Sequence, residues 1–78
     1  MPSAFYQKVV KTVGDYIGSE KAAGAVERRL KDCAASPDSF AKEHLQKIVI
    51  QLTTAAGLYV TDPAKKDELA SKIKALAA

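Results

Sequence analysis

Residues 37–59 read Pro-Asp-Ser-Phe-Ala-Lys-Glu-His-Leu-Gln-Lys-Ile-Val-Ile-Gln-Leu-Thr-Thr-Ala-Ala-Gly-Leu-Tyr, and this stretch decides the fold. Phe40, Ala41, Leu45, Ile48, Val49, Leu52, Ala55, Ala56 and Tyr59 recur at three- and four-residue spacing, the period of an α-helix. Ile50 and Leu58 widen the stripe, and only Glu43, Lys47, Gln51 and Thr54 draw a polar line along one side. A helix apolar over most of its circumference belongs either at the centre of a bundle or against a partner. Pro37 suits a first helical position, and Ser36 and Ser39 are both candidate caps, so the helix is expected over 37–59.

The flanking segments read as helices with two distinct faces. Ser3 can cap a first helix over about 3–17, whose stripe is Phe5, Tyr6, Val9, Val10, Val13, Tyr16 and Ile17. Gly18 suits the left-handed residue that ends a helix, and Ser19 can cap the next at once, so a sharp corner is expected. The second helix, about 20–35, turns Ala22, Ala23, Val26, Leu30, Cys33 and Ala34 inward. Thr61-Asp62-Pro63 supplies a cap and a first-turn proline for a fourth helix over about 62–76, with Leu69, Ile73 and Leu76 on a narrow apolar face. The expectation is a single all-α domain over 1–78, a small bundle of about four helices.

Length and composition narrow the options. A 78-residue chain buries only about 60% of its unfolded surface, so small domains often need a further staple. Cys33 is the only cysteine and His44 the only histidine, which excludes an internal disulfide and leaves too few ligands for a structural zinc site. Association with a partner or a second copy is the staple that remains. The apolar-rich run from Ile48 to Val60 is broken by Gln51, Thr53 and Thr54, short of the ~20 residues that cross a bilayer. Met1-Pro2-Ser3 has no basic region or apolar run of a secretory signal, and the lone cysteine fits a reducing interior, so a cytoplasmic location is expected. The net charge of +3 is spread over the helices with signs interleaved, as on a solvated surface.

Three short patterns carry a chemical suggestion. His44-x-x-Lys47 resembles the histidine phosphotransfer domains, in which a helical bundle presents a His with a Lys three positions on; Ile48 stands where that family has a small residue. Asp38-Ser39-Phe40 is similar to the phosphopantetheine attachment motif of acyl carrier proteins. Here Pro37 replaces the usual Gly, and the chain is basic where those proteins are acidic. Val13 to Leu30 resembles a DNA-binding helix-turn-helix with a turn about one residue short; Lys21, Arg28, Arg29 and Lys31 would face phosphates, and Glu20 and Glu27 would oppose them. Ordinary capping explains Ser39 and Asp38, an inward small side chain explains Cys33, and a partly exposed helical residue explains His44. No pair of carboxylates suggests acid–base work.

The expected function is therefore that of a non-enzymatic helical interaction module without cofactor or metal: an adaptor, small regulator or assembly partner. It would work by burying an apolar helical face against a protein partner or a second copy. Phe5, Tyr6, Ile50, Tyr59 and Val60 are the expected anchors, since rings and branched chains at the edge of an apolar stripe suit interfaces. The alternative is a small nucleic-acid binder using Lys21, Arg28, Arg29 and Lys31. A carrier or phosphotransfer domain on Ser39 or His44 comes third.

Overall fold

Ser3 starts the first helix as its spacing predicts: its Oγ accepts the Tyr6 backbone N–H at 3.1 Å. The computed structural model describes residues 2–78, with four α-helices and no strand among the described residues. They are α1 (Ala4–Ile17), α2 (Ser19–Leu30), α3 (Lys42–Gly57) and α4 (Pro63–Ala77), with a 3-10 turn over Lys31–Cys33 following α2. Asp62 caps α4 through Oδ1, which accepts the Ala64 N–H at 2.9 Å, and Pro63 opens the helix. Among the described residues no helix is long and apolar enough to cross a membrane.

The α1–α2 corner is a single residue. Gly18 has φ 92°, a conformation that side chains resist. It is itself the N-cap of α2, so Ser19 is the first helical residue rather than the expected cap. Gly14 lets the helices cross closely, because a Cβ there would lie 3.2 Å from the Ser19 Cα.

Three helix limits differ by two residues or more from the spacing-based expectation, among them the end of the third helix, which lies at Gly57 and not Tyr59. The second helix ends at Leu30, and the 3-10 turn closes on Ala34 at φ 54°, where Ala35 N–H bonds back to the Leu30 carbonyl at 3.1 Å. Ala34 is consequently exposed instead of facing the core. The third helix begins at Lys42, not Pro37. Ser36 and Ser39 satisfy each other instead of capping: Ser36 N–H donates to Ser39 Oγ at 2.9 Å, and Ser39 N–H donates to the Ser36 carbonyl at 3.1 Å. Ser3 then ties this loop to α1, its N–H bonding the Pro37 carbonyl and its Oγ the Phe40 carbonyl, both at 2.8 Å. Phe40 therefore enters the core from a loop, 1% exposed, with Phe5 and Tyr6 ring centroids 5.5 and 6.4 Å away.

The helices form a ring. α1 packs on α2 and α4, α3 packs on the same two, and α1 and α3 lie on the diagonal. α3 is thus one corner of four rather than a surrounded axis. Val9, Val13, Val26, Leu45, Leu52 and Ile73 are wholly out of solvent, each contributing about 1.5–3 kcal/mol of burial before ordering entropy is subtracted. The stripe Leu45, Ile48, Leu52 and Ala56 supplies α3's share of that core, which leaves its opposite side uncovered.

Candidate functional site

The uncovered side of α3 carries Ile50 and, at its C-terminal cap, Leu58, which are 74% and 81% exposed; Tyr59 follows at 47%. These are the exposed large apolar side chains among the described residues, and all three line one groove of about 490 Å³ between α2 and α3. Their positions follow from helical spacing. Ile50, Thr54 and Leu58 step by four along one face, while Leu45, Ile48, Leu52 and Ala56 turn the other face inward. From α2, Ala25 and Arg29 form the facing wall, and the small side chains of Ala25 and Ala55 keep the groove open.

The charged residues lining the groove are Arg28 and Arg29, and no carboxylate lines it. Lys21 holds its ammonium 5.3 Å from the Tyr59 ring centroid, adding a cation at the end of the groove. Arg29 pairs with Asp32 at 3.4 Å through Nη1. Its Nε is shut off from solvent and has no acceptor among the described residues. Glu27 faces elsewhere, accepting the Tyr6 hydroxyl at 3.2 Å. Burial, followed by the adjacent Glu27, raises the Tyr6 hydroxyl above its usual pKa of 10.0.

The five expected anchors divide. Ile50 and Tyr59 come together in the groove, whereas Tyr6 and Val60 are buried and Phe5 is half-buried against Phe40. Tyr6 and Val60 are therefore core residues and Phe5 packs against that core: the stripes that carry them are largely consumed by packing within the bundle. Leu58 belongs with Ile50 and is not among the expected anchors. Its signal lies in the four-residue step from Ile50 through Thr54, which separates these residues from the inward stripe. Of the four basic residues, Arg28 and Arg29 line the groove and Lys21 adjoins it; Lys31 is exposed in the 3-10 turn.

The chemically suggestive residues have structural partners. His44 Nδ1 accepts the Ala41 N–H at 3.0 Å, which helps cap α3, and its ring stacks 6.2 Å from Phe40. Ser39 lies in the Ser36–Ser39 turn, ahead of α3 rather than at its start. Cys33 is buried, its Sγ 3.5 Å from the Leu30 carbonyl. Among the described residues no group of three or more His, Cys, Asp or Glu could hold a metal ion.

A second, polar cleft lies between the end of α1 and α4. There the Tyr16 hydroxyl donates to Glu68 at 2.7 Å, and Lys65 and Lys72 approach the same carboxylate at 3.9 and 3.7 Å. The Tyr16 hydrogen bond, aided by the two lysines, holds Glu68 below the usual 4.5. This cluster clamps α1 to α4, and its central carboxylate is already paired. Comparison with protein-family models, curated proteins and solved structures finds no match to this chain, which leaves the groove between α2 and α3 as the feature on which a functional reading stands.

Proposed function

We propose that this chain is a non-enzymatic protein-docking module whose contact surface is the groove between α2 and α3. The observation that carries this reading is the gathering of Ile50, Leu58 and Tyr59 in one groove while the other large apolar side chains of the described residues lie in the core or pack against it. Isolated exposed apolar residues are ordinary on a protein surface, but apolar residues that converge on a concave, polar-rimmed site mark contact surfaces. Binding would remove these side chains from water, with Tyr59 offering a ring to bury and a hydroxyl to satisfy.

The test is site-specific photo-crosslinking in the cell of origin. A photoreactive residue at position 50 or 58 should give a discrete crosslinked species, and one at Ser71 on exposed α4 should not. No crosslink at 50 or 58, or the same species from all three positions, would overturn the proposal.

A further inference from the structure

We infer that the occupant of the α2–α3 groove is an acidic amphipathic helix of another protein, an inference that rests on the docking reading above. Ile50 and Leu58 are eight positions apart, about 12 Å at 1.5 Å per residue. That is the length over which two turns of a partner helix present side chains at i, i+4 and i+7.

Charge selects among helical partners. Arg28 and Arg29 line the groove, the carboxylate of Asp32 that pairs with Arg29 lies outside the lining, and Lys21 stands at Tyr59. Lys47, one turn before Ile50 and Gln51 on α3, lies outside the groove lining. Glu20 and Glu43 do not line the groove. A helix with apolar residues along one side and carboxylates along its edges meets both properties at once. Its carboxylates would find the Arg28 guanidinium in the groove lining, and Arg29 beside it is already paired with Asp32.

Two other occupants fit less of the surface. A second copy of this chain would bring its own net charge of +3 and exposed lysines on α1 and α4, Lys8, Lys11, Lys66 and Lys74 among them. Duplex nucleic acid would engage Lys21, Arg28 and Lys31 but leave Ile50 and Leu58 in water.

The experiment is an amide NMR titration of the full chain with two helical peptides that share one apolar face. One carries Glu along its edges and the other Lys. The acidic peptide should shift the amides of Arg28, Arg29, Ile50, Gln51 and Leu58 and bind at least about tenfold more tightly than its Lys twin, the preference shrinking with salt. Arg28→Glu with Arg29→Glu should abolish or reverse the preference. Ile50→Ser with Leu58→Ser should remove binding of both peptides, the amide spectrum confirming that the variants stay folded. Equal binding of the two peptides at the groove would overturn the acidic partner while leaving a docking groove. Absence of groove shifts with either peptide would overturn both readings. Concentration-dependent groove shifts without peptide, or shifts produced only by duplex DNA, would assign the surface to a second copy or to nucleic acid and overturn the acidic helix.

Discussion

The Lys21 ammonium lies 5.3 Å from the centre of the Tyr59 ring, joining the first turn of α2 to a residue just beyond the end of α3. The contact bridges α2 to the chain that leaves α3. Both residues are exposed, so the attraction is expected to contribute about 0.5–1 kcal/mol. A double-mutant cycle with Lys21→Met and Tyr59→Leu, read by urea unfolding, should return a coupling of that size. A coupling of zero would mean that the two walls are oriented by the core alone.

Ile50→Ser and Leu58→Ser should leave stability within about 0.5 kcal/mol of the parent, because neither side chain is packed in the folded chain. Urea midpoints check this directly. A large loss would show that these residues support the fold and are not held free for contact.

Ala34 occupies a left-handed conformation, φ 54°, at the end of the turn after α2. Glycine adopts this geometry without the Cβ clash, so Ala34→Gly should raise stability by about 0.5–1 kcal/mol despite glycine's greater freedom when unfolded. The thermal midpoint should rise accordingly.

Phe40 is buried at 1% exposure between α1 and the start of α3. Phe40→Ala should cost about 3–5 kcal/mol, a large share of the roughly 5–15 kcal/mol that holds a domain together. Calorimetry should show a greatly lowered or absent transition.

Tyr16→Phe tests the polar cleft through pH. Glu68 is held below 4.5 chiefly by the Tyr16 hydroxyl, so the folded state favours its charged form. That contribution is complete above the unfolded value and is lost as pH falls through the lowered folded value. The stability gap between the parent and Tyr16→Phe should therefore narrow on acidification below pH 4.5. A gap that persists unchanged to about pH 3 would assign the effect to packing of the ring.

The helical class, the Ser3 and Asp62 caps and the Gly18 corner are legible in the sequence because each depends on neighbours within a few positions. The start of α3 is not. Its true position depends on Ser3 reaching the Pro37 and Phe40 carbonyls, contacts between residues far apart in the chain. The exposure of Ile50 is likewise open at the level of periodicity. An apolar run such as Ile48-Val49-Ile50 places side chains all round a helix, and only the ring arrangement decides which of them finds a neighbour. Tyr6 and Val60 illustrate the converse, since an edge position in a stripe is compatible with contact or with core and here the bundle closes over both.

Ser3 is hydrogen-bonded to the loop before α3, and the Ala77 carbonyl accepts the Gln46 side chain at 2.8 Å near the beginning of α3. Both ends of the described chain are thereby moored at the same pole of the bundle, whereas Leu58 and Tyr59 stand at the far end of α3. A tag, a tether or a further polypeptide joined at either end would leave from that pole. The Leu58–Tyr59 end of the groove would then stand a helix length from the point of attachment, like fingertips from a fixed wrist.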